Sequence, residues 1–426
     1  MLTMTIQSVL ASKSQAVQQK GMLLVLPVPF RVKGDRLFFE FQACNGLEQW
    51  ADNFESVIVA APIIPEAIAT GDKTMIWRDT ATLARLDRFE LVPLPWAYSL
   101  PKFFFYYRSV RTSLGELISR SRYLQFAIGG LFGDWAAVAA LEARKQGRSY
   151  SIHTDRVEHQ VMLRTSQGAS LKTQLKARIM APLLAKYHQH IIKNCSLGLW
   201  HGQDCYSAYS RFCNNSHLIH DIHTKVSDAI GELELSEKVN RAKTEDTIRI
   251  CYVGRIDPMK APLDWVKALG KARDLGVKLH ASWIGDGSMV DQMKATIAQM
   301  DLTSLIELTG YESDRNQVLK RIRESHIMLF THITPESPRS LIESLICGTP
   351  IIGYHSQYAD DLVKDFGGGM LVPVADWEQV GNLLATLSND RQRLSKLTRE
   401  AANNGARFND QKVFRERSEL IKKHLA

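Results

Sequence analysis

Thr334-Pro335-Glu336-Ser337-Pro338-Arg339-Ser340-Leu341-Ile342-Glu343-Ser344-Leu345-Ile346-Cys347-Gly348-Thr349-Pro350-Ile351-Ile352 reads as loop, helix and strand in succession. Ser337 is a favoured N-cap type, and Pro338 suits a first helical position. Leu341, Leu345 and Ile346 make one apolar face, Gly348 stops the helix, and Pro350 opens the next strand. Ile327–Phe330, just upstream, is an unbroken apolar run of strand length. Strand, helix and strand in this order predict a parallel sheet with a crossover helix. The helix start then points out of the sheet's carboxyl edge, where N–H groups and the helix dipole favour an anion. Glu336 lies in the loop before the helix and Glu343 on its second turn. Carboxylates at that edge can accept hydrogen bonds from sugar hydroxyls, although an early-helix Glu also complements the dipole without any ligand.

Upstream, Ile248–Val253 is another apolar strand, and it runs into Gly254-Arg255-Ile-Asp257-Pro258-Met-Lys260. Gly254 lets backbone approach a ligand, and two cations on the following turn suit a pyrophosphate; the plain alternative is a solvated surface turn. The strand Leu279–Ile284 ends in Gly285-Asp286-Gly287-Ser288, a tight turn into a helix. The first half shows the same alternation, with strand-like runs at 22–28, 56–61, 89–94 and 149–153 and a helical pattern at 135–146 stopped by Gly147. The expectation is an α/β protein of two doubly wound domains. We place the first at 1–220, a polar connection at 221–246, the second at 247–408, and an amphipathic helix at 409–426.

The 426 residues suit two domains, and a composition of 45% apolar and 23% charged residues excludes disorder and fibres. The six cysteines form no CxxC pair, which predicts reduced thiols, and no apolar run approaches a bilayer span. A cytoplasmic protein is expected. The net charge of +8 is uneven: residues 101–200 hold 15 Lys+Arg and 5 Asp+Glu, a net of +10. Within that stretch Leu171, Leu175, Ile179 and Leu183 recur every four residues beside Lys172, Lys176 and Arg178, and Phe103-Phe-Phe-Tyr-Tyr107 precedes Arg108 and Arg111. A basic amphipathic helix of this kind can rest on anionic lipid, or can turn its leucines to the core and its cations to water. Nucleic acid is not expected, since no binding motif accompanies the charge.

Arg255…Lys260, then Gly285-Asp-Gly, then Glu336…Glu343 before Cys347-Gly-Thr-Pro, resembles the retaining family-4 glycosyltransferases of the GT-B fold. The order and rough spacing match over about 247–404. The resemblance implies two Rossmann-like domains facing each other across a cleft. It implies that Arg255 and Lys260 bind the donor diphosphate, that Glu343 holds the ribose, and that Glu336 holds the donor sugar. Backbone N–H groups of residues 337–340, including Ser337, would face sugar or phosphate, with Gly254 and Gly285 shaping the turns. No metal and no cofactor are expected; the donor is a nucleotide-diphosphate sugar. Two departures stand out. Six residues rather than seven separate the two Glu, with Ser-Pro-Arg-Ser in place of Gly-Phe-Gly, and Arg339 there is an added cation that could reach phosphate. The usual Gly-Gly pair after the first strand is absent, leaving Gly34 in Arg31-Val-Lys33-Gly34-Asp35 as the candidate.

A histidine often lines the acceptor side in this family. His153, ending a strand and followed by Thr154-Asp155-Arg156, is the candidate; His201 is the alternative, while His220 and His223 lie near the connection. The expected activity is transfer of a sugar, with retention, to a glycan or lipid-linked acceptor in surface polysaccharide biosynthesis, at the cytoplasmic face of a membrane touched through residues 101–200. The alternatives are a soluble sugar-phosphate or glucan synthase of the same fold and a catalytically silent partner subunit.

Overall fold

The computed structural model describes residues 20–71, 75–220, 222, 224–334 and 336–425. His223, named above, lies outside them. The first half contributes β1 (Met22–Val25), β2 (Phe30–Lys33), β3 (Arg36–Glu40), β4 (Val57–Pro62), β5 (Trp77–Asp79), β6 (Phe89–Leu94), β7 (Tyr123–Ala127), β8 (Ser151–Thr154), β9 (Leu197–His201) and β10 (Ser216–Ile219). Seven of these form a parallel sheet in the order β10-β9-β8-β7-β1-β4-β6. The second half contributes β11 (Ile248–Val253), β12 (Leu279–Ile284), β13 (Ile306–Gly310), β14 (Ile327–Phe330), β15 (Ile351–Tyr354) and β16 (Gly369–Val372), all parallel, in the order β13-β12-β11-β14-β15-β16. Buried on both faces, these strands read as continuous apolar runs, which is why the sequence revealed most of them.

Both sheets reverse their winding once, between β1 and β7 and between β11 and β14. A doubly wound sheet opens a crevice beyond the carboxyl ends of its strands at that reversal, because the flanking helices diverge there to opposite faces. The Gly254 turn follows β11 and the Glu336 loop follows β14, so both lie at the reversal of the second sheet.

Gly34 does not directly follow the first strand of the parallel sheet, β1. It sits in the turn between β2 and β3, an antiparallel hairpin in which Lys33 pairs with Arg36, and a Cβ placed on it would meet nothing within 4 Å. The alternating run Phe30-Arg-Val-Lys, a Gly-Asp turn and a second run carry that hairpin signal. Residues 232–244, inside the stretch expected to be a connection, form the helix Glu232–Thr244. Its Leu235 and Val239 pack on Ala402, and its Lys238 is buried in the second domain. The final helix, Asp410–Leu425, returns to the first domain, where Phe414 meets Trp50 edge-on at 5.0 Å between ring centroids. Among the described residues no helix is long and apolar enough to cross a membrane.

Candidate active site

The turn after β11 is built by close backbone approach. Gly285 has φ of +151°, and a Cβ there would lie 2.1 Å from the Gly254 carbonyl oxygen, so only glycine fits. That same carbonyl accepts from Trp283 Nε1 at 2.8 Å. Asp257 accepts from the Ser288 N–H and hydroxyl at 3.1 and 2.9 Å, tying the two turns together. Arg255 remains half exposed, with Nη1 3.5 Å from Asp257.

Lys260 is buried, and its Nζ lies 2.7 Å from Glu336 Oε2. Burial lowers its pKa; Glu336 opposes that, while the charges of Arg255 and Arg156 add to the lowering. Arg255 and Lys260 come from the second domain and Arg156 from the first, so cations of both domains gather near Lys260, and Lys260 and Arg156 both face Glu336. Arg156 reaches there because its backbone pairs with that of Glu336 as an isolated antiparallel bridge across the cleft. Its guanidinium also meets Glu158 at 2.9 Å.

Behind Glu336 runs a buried polar chain. Glu336 Oε1 is 3.7 Å from His332 Nδ1, and His332 Nε2 is 2.5 Å from the Tyr252 hydroxyl. Burial, reinforced by Lys260, pushes His332 well below the usual imidazole range, so it stays neutral. Thr334 adds a hydroxyl 3.4 Å from Glu336 Oε1. One local signal marks this support: His332 stands four residues before Glu336.

Glu343 lies one turn into the helix Arg339–Ile346, and Arg315 holds its Oε1 at 2.5 Å. Arg315 also meets Asp228 at 3.3 Å. Burial lowers the Arg315 pKa, but Glu343 and Asp228 outweigh it and the net shift is upward. Neither Arg315 nor Asp228 was singled out from the sequence, because their pairing joins segments far apart in the chain.

One expectation on the helix start is corrected. Ser337 is not the N-cap: Pro338 occupies that position, and the Ser337 hydroxyl donates to the His201 carbonyl across the cleft at 2.8 Å. Gly202, at φ +75°, makes room for this, since a Cβ there would lie 2.5 Å from Ser337 Oγ. Arg339 Nη1 donates to Gln42 of the first domain at 2.6 Å.

On the opposite wall His153 is the next-to-last residue of β8, which ends at Thr154 rather than at the histidine, and its carbonyl accepts from Ile128 at 3.1 Å. That contact places it beside Gly129-Gly130, a loop that the sequence reading missed along with β7. The N–H groups of both glycines donate to Asp134, at 2.8 and 2.9 Å, and Asp134 also caps the helix Trp135–Lys145. Further ties across the cleft run from Arg164 to the Ile333 carbonyl, from the Tyr358 N–H to Asp204, and between His220 and Asp361. A surface hollow lined by Lys20, Ser56, Arg88, Glu90 and Arg120 lies at the amino ends of the first sheet's strands, the wrong edge for this site. Among the described residues, no three His, Cys, Asp or Glu cluster as a metal site would need.

Comparison with known proteins bears on this arrangement. Residues 235–406 match the model of the family described as glycosyl transferases group 1. The chain is 23% identical over 197 residues to the amylovoran biosynthesis glycosyltransferase AmsK of Erwinia amylovora, covering 44% of this chain and 48% of that protein. It is 25% identical over 170 residues to a UDP-Gal:alpha-D-GlcNAc-diphosphoundecaprenol alpha-1,3-galactosyltransferase of Escherichia coli, covering 39% and 43%. The chain thus spans about half the length of the curated relatives it matches. Among solved structures it resembles Anabaena HepE in complex with UDP, with a TM-score of 0.60 at 15% identity over 93% of this chain and 97% of that one. The two-domain architecture is the GT-B fold.

Proposed function

We propose that the chain is a glycosyltransferase that moves a sugar from a nucleotide-diphosphate sugar, with retention, to a hydroxyl of a glycan or lipid-linked acceptor. The observation that carries this is Lys260 buried against Glu336, with Arg156 and Arg255 near enough to act on its charge, just ahead of the helix Arg339–Ile346. As the bond from the anomeric carbon to the donor phosphate breaks, negative charge grows on the diphosphate. Cations fixed in a site that excludes water stabilise it without reorganisation. The incoming acceptor oxygen bonds the anomeric carbon on the same face, and its proton passes to the departing phosphate oxygen. This route asks the protein for positioning and electrostatic support, with no enzymic nucleophile and no metal.

In this reading Glu343, held by Arg315, takes the ribose hydroxyls, and Glu336, braced by Lys260 and His332, takes hydroxyls of the sugar. His153 lines the acceptor side. The glycosyltransferase group to which residues 235–406 match supports a sugar nucleotide as donor. The UDP complex of the HepE structure supports uridine diphosphate as the first nucleotide to try. The similarity to the amylovoran and diphosphoundecaprenol enzymes supports a surface-polysaccharide acceptor on a lipid carrier.

The test is turnover of a panel of uridine, guanosine and adenosine diphosphate sugars by the full chain and two variants. Lys260→Met is expected to lower kcat about a hundredfold to a thousandfold, as losing one preorganised charge-stabilising group does. Glu343→Ala is expected to raise the donor KM about tenfold to a hundredfold, the scale of a lost charged hydrogen bond. Full donor turnover by both variants would place the donor site elsewhere. Nucleotide binding with no transfer of any sugar would make the chain a silent subunit.

A further inference from the structure

The helix Leu171–Ile192 turns its leucine stripe outward. Its buried face is Ala177, Ala181, Leu184, His188, Ile191 and Ile192, and the helix runs unbroken through Pro182. Leu171, Leu175, Ile179 and Leu183 are 84%, 60%, 56% and 51% exposed. The core therefore does not explain them. Lys172, Lys176, Arg178 and Lys186 are exposed too, and at 100° per residue they interleave with the apolar side chains on one face. The 22 residues contain no Asp or Glu. A second element repeats the pattern. In the helix Leu100–Arg120, Phe103 is buried, while Phe104 and Phe105 are 67% and 78% exposed between exposed Lys102 and Arg108. Tyr107 of that helix and Tyr187 of the leucine helix pack against the same core cluster.

We infer that these two helices form a docking surface for an anionic phospholipid bilayer. Charge complementarity selects this occupant. An apolar stripe alone would suit a protein partner as well, but cations interleaved with it on one face, and no carboxylate on the helix, match a plane of phosphate headgroups over acyl chains. The leucines enter the acyl boundary, the ammonium and guanidinium groups stay at headgroup depth on their long stems, and Phe104 and Phe105 give a second anchor. This surface stands apart from the transfer chemistry, since none of its residues touches the Lys260 cluster.

The test is flotation of the full chain with vesicles of phosphatidylcholine alone and of phosphatidylcholine with phosphatidylglycerol, at low and high salt. Binding to the anionic vesicles that fades with salt is expected. Lys172→Glu, Lys176→Glu and Arg178→Glu together should weaken it at least about a hundredfold, since each cation near such a surface contributes about fivefold. Leu175→Ser with Ile179→Ser should abolish it while circular dichroism and donor turnover stay as in the parent. Failure of the parent to float with anionic vesicles overturns the inference. So does a parent dimer in sedimentation that Leu175→Ser with Ile179→Ser splits into monomers, which would make this face an interface between copies. Flotation does not read sugar transfer, so the two proposals fail separately.

Discussion

At the scale of single residues the main lesson is how burial and charge set one ammonium against another. Lys260 is buried beside a carboxylate, whereas Lys238 is buried beside neutral acceptors, the carbonyls of Ile322 and Cys347 and the hydroxyl of Thr349. Burial lowers Lys238 to about 7, and its neighbours Cys347 and Cys251 are pushed up by the same cause and stay neutral thiols. The unfolded chain holds a proton on this group up to about pH 10.4, the ordinary lysine value. Between pH 7 and that value the unfolded state therefore binds more protons than the folded state, and stability rises with pH. Below pH 7 the cost of a buried charge is present in full. Chemical denaturation of Lys238→Met against the parent from pH 7 to 9.5 should show the parent gaining up to about 1.4 kcal/mol per pH unit relative to the variant. Parallel profiles would refute the assignment. Lys238 was not legible in the sequence, because a lysine among other charges in a polar connection reads as solvated. Residue types did mark Arg255, Lys260, Glu336 and Glu343, because charges at the ends of apolar strands are conspicuous.

At the scale of elements, the two glycine turns after β11 and β12 act as one unit. The Gly285 position presses on the Gly254 carbonyl, so a methyl group there must push the turn that carries Arg255 and Asp257 away from the turn that carries Ser288. Gly285→Ala is expected to destabilise the second domain by about 2–3 kcal/mol, a cost typical of a side chain forced into strained backbone. It should also raise the donor KM; unchanged stability and KM would mean that the turns do not depend on each other. Four strands of the second sheet were legible as apolar runs, while β13 and β16 at its edges were not. β7, β9 and β10 were not, since Tyr123-Leu-Gln-Phe-Ala and Ser216-His-Leu-Ile carry polar residues, and Leu197-Gly-Leu-Trp-His reads as the approach to a histidine. Missing β7 also hid Gly129-Gly130.

At the scale of the molecule, the chain crosses between its domains more than once, and the final helix binds the whole together. Phe414, Ile421 and Leu425 are buried against the first domain, and Arg417 lies over Trp50 at 4.9 Å. Burying each such apolar side chain is worth roughly 2 kcal/mol. A chain stopped after Asn409 should therefore unfold more than about 10 °C lower in a thermal melt; an unchanged melting temperature would show that the helix adds nothing to the first domain. The sequence by itself determined the α/β class, the two-sheet organisation, and the residue types at the strand ends, because strand and helix periodicity and breaker residues are local properties. Only the tertiary structure decided which charges meet. Arg156 reaches Glu336, Arg315 reaches Glu343, Ser337 turns to His201 and Arg339 to Gln42 through approaches between distant segments. Likewise, periodicity showed that the helix Leu171–Ile192 has a leucine stripe, but which face is buried depends on what packs against it, and the core took the other side.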